Sequence, residues 1–364
     1  MAKRITFTVT NDLNYDQRMI RICSSLQQAG YEILLIGRKR ASSLPLKEQA
    51  FQQKRLYCFF DKGKLFYAEY NLRLFLFLLF VRTDCFGAID LDTILPNLFA
   101  SKLRRKKRVY DAHELFCEME EIVSRPRIYK AWKMIERYAV PQFKHGYTIG
   151  TCYAEEFERM YQVQYEIVRN ATVLKPFVPV APSEKYILYQ GAVNEGRSFE
   201  TLIPAMKQVA CKLIICGEGN YFQQAKELVR IHALENKIEF KGYLPPSELI
   251  KYTRNAYIGI TLFTNQGKSN YFSMANRFFD YMHAGVPQVC VAFPEYQKAN
   301  SIAEIAVLVQ DTQEETIAMA INKLLEQNEF HQQLSLNCLQ LRAHFCWQEE
   351  EKKLIRFYYE LFQS

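Results

Sequence analysis

One segment of the chain, residues 273–287, combines residue types that bind phosphate and sugar within a short helical pattern. Ser273 and Asn276 stand where the helix begins, and the free backbone N–H groups of a helix start favour a phosphate. Arg277 adds a guanidinium that can donate to the same phosphate. Asp280 lies one turn further along and can accept hydrogen bonds from sugar hydroxyls. The alternative is an ordinary capped helix with a solvated aspartate, and from these residue types alone we favour it.

Two other segments place glycines after predicted strands. Gly191 is followed by Arg197 at the start of a helix, where a cation opposes the helix dipole unless an anion is bound. Alternatively, Arg197 is a surface residue. Gly217 and Gly219 follow the next strand and either contact a nucleotide or serve only a tight turn. A dinucleotide-binding fingerprint would need a third glycine where Phe222 stands, so a Rossmann dehydrogenase is disfavoured.

Polar residues also follow two strands of the N-terminal half. His113 comes directly after the predicted strand 109–112, at the edge where ligands of parallel sheets bind. A zinc-protease motif would need a histidine at the position of Cys117 and is excluded. Asp90 and Asp92 imitate a metal-binding Asp-x-Asp triplet, which is common by chance. We interpret them as a strand-end pair and predict no metal.

Apolar runs typical of strands alternate with helical patterns, which predicts parallel sheets covered by helices on both faces. Three prolines within 175–184 predict an interdomain linker. The predicted domains are residues 1–174, 185–345 and a last helical segment, 346–364. Predicted strands are 5–10, 31–37, 86–90, 109–112, 147–150 and 165–170 before the linker, and 186–191, 212–216, 237–242, 257–263, 288–292 and 306–309 after it. Predicted helices include 16–29, 127–138, 314–327 and 348–362.

The positive charge of the protein lies in its N-terminal half. The 364 residues carry a net charge of +8, and residues 1–174 account for +9 of it. This asymmetry predicts an anionic partner for that half: a nucleic acid, a membrane surface or a phosphorylated substrate. With 49% hydrophobic and 24% charged residues, the composition excludes a disordered chain.

The run Lys102–Arg108 contains six basic residues in seven positions. No nucleic-acid recognition motif accompanies it, so nucleic acid is not an expected partner. The run is either a solvated helix end or, as a hypothesis, a patch that contacts anionic lipid. The nearby apolar stretch 74–80 is interpreted as a buried helix, with insertion into lipid as the alternative.

Segment 273–287 resembles the donor-site motif of family four glycosyltransferases (glycosyl transferases group 1), which are retaining enzymes of the GT-B fold. In many relatives the motif reads approximately Leu-Pro-Asn-Lys-x-Phe-Glu-Tyr-x-x-Ala-Gly-x-Pro. Segments 10–18, 189–205, 216–219 and 291–295 resemble other parts of the family, so the resemblance covers nearly the whole chain. It implies an α/β fold in which two Rossmann-like domains face a cleft and the C-terminal helix packs back on the N-terminal domain.

The resemblance also implies roles for individual residues. Arg197 and Arg277 would hold the diphosphate of a nucleotide sugar and neutralise it as it leaves. Asp280 would hold the ribose, in place of the more usual glutamate, and His113 would contact the donor sugar near the reaction centre. The other nucleotide-sugar-binding residues implied by the motifs are Gly191, Gly217, Gly219, Ser273 and Asn276.

These features predict a retaining, nucleotide-sugar-dependent hexosyl- or related glycosyltransferase that acts in the assembly of surface polysaccharide or glycolipid. One alternative is a sugar-nucleotide epimerase of the same fold. Another is a catalytically weak module that only binds a nucleotide sugar. The second alternative arises because Phe272 and Ala192 occupy positions where the family usually has a carboxylate and a cation.

The expected partners are a nucleotide-diphosphate sugar as donor substrate and a glycan or lipid-linked acceptor, with an anionic acceptor as a hypothesis. Neither a tightly bound cofactor nor a metal is expected. Ten scattered cysteines without a CxxC pair and an N-terminus without a signal-peptide core predict a cytoplasmic protein. Peripheral contact with an anionic membrane at its cytoplasmic face is a further hypothesis.

Overall fold

The computed structural model describes residues 2–177 and 184–363, which form two compact units. The first unit comprises Met1–Asn170 together with Glu350–Ser364, and the second comprises Ala171–Glu349. Of the predicted linker 175–184, residues 178–183 lie outside the described residues.

The first unit is built on a parallel sheet of seven strands. These are β1 (Arg4–Thr8), β2 (Glu32–Lys39), β3 (Gln52–Tyr57), β4 (Cys85–Ile89), β5 (Lys107–Ala112), β6 (Gly146–Thr148) and β7 (Glu166–Ile167). Their order in the sheet is β3-β2-β1-β4-β5-β6-β7. The order reverses between β1 and β4, and such a switch point leaves a crevice at the carboxyl ends of the strands where ligands bind.

Helices cover this sheet. They are α1 (Gln17–Gln28), α2 (Gly63–Phe80), α3 (Ile94–Leu103), α4 (Glu120–Val123), α5 (Pro126–Ala139) and α6 (Thr151–Tyr161). Asp16 caps α1, since its carboxylate accepts the N–H of Met19 at 3.0 Å. The amphipathic pattern of the sequence predicts this helix at 16–29, which agrees with α1 to within one residue at each end.

Strand β3 is absent from the predicted strands. Its sequence, Gln-Gln-Lys-Arg-Leu-Tyr, has no apolar run, and it lies at the edge of the sheet, paired only with β2. Edge strands often carry charged side chains, which keep the unpaired edge from pairing with another chain. The strand therefore forms because it pairs with β2, and its local composition does not predict it.

The second unit repeats the same topology with six parallel strands. They are β8 (Tyr186–Gln190), β9 (Lys212–Cys216), β10 (Ile238–Gly242), β11 (Ile258–Thr261), β12 (Gln288–Val291) and β13 (Ala306–Val309), in the order β10-β9-β8-β11-β12-β13. Its helices are α7 (Phe199–Ala205), α8 (Phe222–Ile231), α9 (Pro246–Asn255), α10 (Lys268–Phe272), α11 (Asn276–His283), α12 (Pro294–Ile302), α13 (Glu314–Glu326) and α14 (Asn328–Leu341). The switch point lies between β8 and β11. Both sheets are the predicted Rossmann-like arrangement.

The last helix, α15 (Trp347–Gln363), packs on the first sheet, as predicted. Tyr358 meets Phe7 edge-on with ring centroids 6.0 Å apart, and Phe357 meets Tyr147 at 5.3 Å. The ammonium of Lys107 donates to the carbonyl of Leu361 at 2.7 Å. The C-terminal segment thus completes the core of the first unit.

The basic run Lys102–Arg108 largely serves the fold. Arg104 donates to the carbonyls of Leu78 and Val81 at the end of α2, and Arg108 donates to the carbonyl of Gln142. Cations at helix ends satisfy carbonyls that have no intrahelical partner. The run is therefore only partly available to an external partner.

The apolar stretch 74–80 forms the last part of α2, and only one of its faces is buried. Leu74 and Leu78 are fully buried, whereas Leu76 and Phe80 are exposed. The prediction of a buried helix is correct for the inner face and wrong for the outer one. Over 2–177 and 184–363, no helix is both long and apolar enough to cross a membrane.

Candidate functional site

Two loops of the second unit meet so closely that only glycines fit. A Cβ on Gly217 would lie 1.8 Å from the carbonyl oxygen of Gly191. A Cβ on Gly219 would lie 2.2 Å from Asn194 Oδ1 and 2.3 Å from the carbonyl oxygen of Val193. These glycines therefore join the turns after β8 and β9 at the carboxyl edge of the sheet, whatever they contact in a ligand.

Helix α11 begins at Asn276, and its N-cap residue, Ala275, has no capping side chain. Instead, the N–H of Ala275 donates to the hydroxyl of Tyr296 at 2.9 Å. The N–H groups of Asn276 and Arg277 belong to the first turn and have no intrahelical acceptor. A polar group outside the helix can bind there.

Ser273 does not open this helix, contrary to the expectation from its position in the motif. It is the C-cap of the preceding helix α10, and both its N–H and its hydroxyl donate to the carbonyl of Asn270. Short helix α10 ends only three residues before α11 begins, so the serine satisfies the end of one helix and not the start of the next.

Arg277 is a buried cation held by neutral groups. Its side chain donates to the hydroxyl of Tyr189 and to the carbonyl of Leu262, each at 3.2 Å. It lies beside Gly191, since a Cβ there would be 3.4 Å from Arg277 Nη1. Within 2–177 and 184–363, no carboxylate forms an ion pair with Arg277, and its Nε donates to no acceptor. A desolvated cation without a counter-ion is costly unless an anion binds beside it.

Arg197 and Arg277 contact the same aromatic ring. Their guanidinium carbons lie 4.4 Å and 4.6 Å from the ring centroid of Phe263, which follows β11. Arg197 lies in the loop after β8 and Arg277 in the first turn of α11, which follows β11, so the two come from either side of the switch point. The ring's π-system stabilises both cations, and the pair of like charges favours an anion between or beside them.

Asp280 belongs to a polar network at the end of β8. Its Oδ2 accepts the side-chain amide of Gln190 at 2.8 Å, and Gln190 Oε1 accepts the hydroxyl of Thr253 at 2.7 Å. The hydroxyl of Tyr281 accepts the N–H of Gln190 at 3.2 Å. Asp280 is thereby fixed one turn along the helix from Arg277, with its side chain half-buried.

The two departures from the family pattern lie in structured positions. Phe272 is the last residue of α10, half buried, with its ring 5.2 Å from that of Tyr271. Ala192 is exposed, and its carbonyl accepts the hydroxyl of Tyr189 at 2.7 Å. Tyr189 thus holds both the loop that carries Ala192 and the guanidinium of Arg277.

A second cluster lies at the carboxyl edge of the first sheet. The imidazole Nε2 of His113 is 2.9 Å from Oδ2 of Asp111, whose other oxygen accepts from Arg18 at 3.1 Å. Asp111 is fully buried, and Arg18 is 5% exposed. Burial alone would raise the pKa of Asp111, but His113 and Arg18 hold it below its usual value. Burial lowers the pKa of His113, as does Arg18, but Asp111 and Asp90 together raise it above its usual value.

Asp90 faces the other ring nitrogen of His113, with Oδ2 3.7 Å from Nδ1. Its Oδ1 accepts the N–H groups of His113 and Glu114 at 2.8 Å and 3.3 Å. Its backbone has φ 52° and ψ 177°, which a non-glycine residue rarely adopts. Desolvation raises the pKa of Asp90 to about 8 and that of Asp92 to about 6. The strained backbone places this carboxyl over the histidine loop.

Asp92 lies beside the first loop rather than beside His113. Its carboxylate accepts the hydroxyl of Thr10, which follows β1, across the switch point. In the parts of the chain that the structure describes, no group of three or more His, Cys, Asp or Glu residues is arranged to hold a metal ion.

The structure brings most sequence-predicted residues of the second unit together. Gly191, Gly217, Gly219, Arg197, Arg277 and Asp280 surround the carboxyl ends of β8 and β9 and the first turns of α11. Sequence reasoning missed Gln190, Thr253, Tyr189 and Phe263, which hold these residues. Their only signal is position: Tyr189, Gln190 and Phe263 lie in the last three positions of predicted strands. The pairing of Gln190 with Thr253, 63 residues away, cannot be predicted without the fold.

Residues 173–338 match the sequence profile of a family described as Glycosyl transferases group 1. The match includes the cluster of the second unit and excludes that around His113. No curated protein sequence matches the chain.

Several solved structures are similar over nearly the full length of the chain. Sucrose-phosphate synthase from Thermosynechococcus elongatus is 18% identical, with 99% of each chain covered and a TM-score of 0.83. A glycosyltransferase from Rickettsia africae ESF-5 is 11% identical, covering 100% of this chain and 99% of that one, with a TM-score of 0.79. HepE from Anabaena, solved in complex with UDP-glucose, is 11% identical over 98% of this chain and 99% of that one, with a TM-score of 0.78. The chain therefore has the GT-B fold.

Proposed function

We propose that this protein transfers a sugar from a nucleotide-diphosphate sugar to a glycan or lipid-linked acceptor, with retention of configuration. The observation that carries the proposal is the pair of guanidiniums of Arg197 and Arg277 on the ring of Phe263, beside Gly191. Two like charges held side by side repel each other, and the two negatively charged phosphates of a diphosphate would relieve this repulsion. The first turn of α11 adds N–H donors at the same place.

The residues of the second-unit cluster, and His113 of the first unit, are given these roles in the proposal. Arg197 and Arg277 bind the diphosphate and stabilise the charge that develops as it leaves. Asp280 accepts the ribose hydroxyls, held in place by Gln190. His113, flanked by Asp111 and Asp90, orients the donor sugar near the bond that breaks. Solved structures of similar fold contain UDP or UDP-glucose, which supports a nucleotide-sugar donor.

The first unit is proposed to receive the acceptor. Its net positive charge suits an anionic acceptor, and the similar protein WaaG is described as a glycosyltransferase of lipopolysaccharide biosynthesis. We therefore place the reaction in the assembly of surface polysaccharide or glycolipid, at the cytoplasmic face of a membrane. All ten cysteines are free thiols, which is consistent with a reducing compartment.

Two measurements test this function. UDP, GDP and their sugars are screened for thermal stabilisation, because a ligand that binds only the folded state raises its melting temperature. The stabilising nucleotide sugar is then incubated with and without candidate acceptors, and NMR determines the anomeric configuration of the product. Stabilisation by none of these nucleotides, or inversion of configuration, would contradict the proposal. A changed sugar nucleotide formed without acceptor would indicate the epimerase instead.

A module that binds a nucleotide sugar with little turnover is the second candidate. The observation in its favour is Phe272, a half-buried aromatic residue at a position where the family usually has a carboxylate for the donor sugar. Phe272→Glu would restore that carboxylate. If the wild-type protein binds a nucleotide sugar without transfer and this variant transfers it, the protein is such a module.

A further inference from the structure

The outer face of α2 exposes a row of apolar side chains. Leu72, Leu76 and Phe80 are spaced four residues apart and therefore lie on one side of the helix. Leu72 is 60% exposed and Phe80 is 86% exposed, and Leu65 extends the row toward the start of the helix. From Leu65 to Phe80 the row is about 22 Å long at 1.5 Å per residue.

Two aromatic residues widen this face. The carboxylate of Glu69, on α2, accepts the N–H groups of Phe59 and Phe60 at 3.0 Å each. These bonds tie the loop before α2 to the side of the helix and leave both rings exposed. We call the surface formed by Phe59, Phe60, Leu65, Leu72, Leu76 and Phe80 the α2 strip.

Unpaired cations stand at both ends of the α2 strip. Lys62 directly precedes the helix, Lys64 is its second residue, and Arg82 lies just after its end. Arg105 lies at the same end as Arg82, since its neighbour Arg104 donates to the last carbonyls of α2. Of the residues described, no acidic side chain pairs with these four exposed cations.

Three acids near the α2 strip are engaged by other cations. The three ion pairs are Asp61 with Arg38, Glu69 with Arg73, and Asp84 with Lys106. The charge that the strip presents to a partner is therefore positive at both ends, around an apolar centre.

An anionic bilayer surface fits this arrangement better than another protein or a nucleic acid. Apolar side chains of a surface helix enter the boundary of the acyl chains while flanking lysines and arginines bind anionic headgroups. A second copy of the chain, packed through the same face, would set these cations against each other. A nucleic acid would leave the leucines and Phe80 without an apolar partner.

We propose that the α2 strip docks the first unit on the surface of an anionic membrane, with α2 parallel to the membrane plane. This inference deepens the proposed function and rests on it only for the purpose of docking, which is access to a lipid-linked acceptor. It also replaces the run Lys102–Arg108 as the main contact, because three of the six cations of that run donate to backbone carbonyls of the fold and a fourth pairs with Asp84.

Vesicle flotation tests the inference with the full-length protein. The vesicles are phosphatidylcholine alone, or phosphatidylcholine with about a third phosphatidylglycerol. We expect the wild type to float with the anionic vesicles only. The variant Leu72→Ser/Leu76→Ser/Phe80→Ser should bind them at least about tenfold more weakly, because burial of apolar surface drives insertion. A matched control, Ile231→Ser/Met319→Ser/Leu336→Ser, removes three comparably exposed apolar side chains from the second unit and should bind normally.

A second variant separates charge from apolar contact. Lys62→Glu/Lys64→Glu/Arg82→Glu should remove the preference for phosphatidylglycerol, and raised salt should weaken wild-type binding. Circular dichroism and thermal unfolding verify that every variant is folded. The inference is overturned if the wild type does not float with anionic vesicles, or if the serine variant floats as well as the wild type. It is also overturned if analytical ultracentrifugation shows a dimer that only the serine variant dissociates.

The same variants keep this inference distinct from the proposed function. Nucleotide-induced thermal stabilisation and transfer to a water-soluble acceptor should be unchanged by the serine substitutions. Vesicle binding without any nucleotide-sugar activity would refute the glycosyltransferase and leave the docking surface standing. Nucleotide-sugar activity without vesicle binding would refute the docking surface and leave the glycosyltransferase standing.

Discussion

The guanidiniums of Arg197 and Arg277 lie over one ring, that of Phe263, at 4.4 Å and 4.6 Å from its centroid. The two arginines are 80 positions apart in sequence and come from opposite sides of the switch point in the second sheet. Phe263 orients both cations without neutralising either. This relationship predicts that the pair binds an anion and that Arg277, which is the more deeply buried, carries a cost in stability.

Replacement of Arg277 by methionine should separate binding from stability. Methionine retains much of the buried stem and removes the uncompensated charge, so the nucleotide-free variant should be more stable by about 1–2 kcal/mol. Its affinity for UDP should fall about 10- to 100-fold, because hydrogen bonds to charged groups are lost. Thermal unfolding and calorimetric titration with UDP measure the two effects. Arg230→Met, at an exposed helix position, is the control and should change neither. A less stable variant with unchanged UDP affinity would contradict the assignment.

Gly217 should be far less tolerant of substitution than a glycine in open space. Gly217→Ala places a Cβ 1.8 Å from the carbonyl of Gly191, whereas Gly30→Ala meets nothing within 4 Å, and both have positive φ. The backbone strain is therefore common to both variants, and the clash is not. We expect Gly217→Ala to lower the free energy of unfolding by about 1–3 kcal/mol more than Gly30→Ala does, as overpacking does in cores. Urea denaturation measures the free energy of unfolding of both variants. Equal losses would contradict the prediction and show that the loops after β8 and β9 move apart freely.

Asp280 should determine the preference for ribose over deoxyribose. The wild type should bind UDP about tenfold or more tightly than 2′-deoxy-UDP, since a hydroxyl bound to a carboxylate contributes about 1.5–3 kcal/mol. Asp280→Ala should bind both nucleotides with similar, weaker affinity. Asp311→Asn, an exposed aspartate of the same unit, serves as the control. If Asp280→Ala keeps the full discrimination, the ribose lies elsewhere.

Asp111 should hold the pKa of His113 above its ordinary value. NMR titration of the six histidines, with His113→Gln for assignment, should give His113 a pKa above 6.5 in the wild type. In Asp111→Asn, burial and Arg18 still lower the pKa and only Asp90 still raises it, so the pKa of His113 should fall from its wild-type value. Glu121→Gln, an exposed carboxylate of the same unit, should leave it unchanged.

The same contact makes stability depend on pH in a defined direction. Because the folded-state pKa of His113 is raised, its ion pair stabilises fully below about pH 6.5 and is lost as the pH rises through the folded-state pKa. Asp111 acts oppositely: its pKa is lowered, so its contribution is present above about pH 4 and is lost as the pH falls through the folded-state pKa. The stability difference between wild type and Asp111→Asn should therefore be largest between these limits. A difference that does not vary with pH would contradict the ion pair.

The alternation of apolar runs determines both sheets, because strands buried on two faces must be apolar along their whole length. The same alternation predicts where the strands end. It therefore predicts that Gly191, Gly217 and His113 lie at the edge of a sheet where ligands bind. The resemblance of segment 273–287 to a glycosyltransferase motif predicts roles for Arg277 and Asp280, which the residue types alone do not. These features are local, and so a single sequence carries them.

Only the tertiary structure shows which side chains distant in sequence contact each other. Phe263 under two arginines, Gln190 between Asp280 and Thr253, and Asp111 between Arg18 and His113 exist because parallel strands bring separated loops to one edge. Strand β3 forms because β2 offers it an edge. The outer face of α2 could not be distinguished from its buried face, since leucine and phenylalanine stand on both, and only the packing of the helix shows which side is left to a partner.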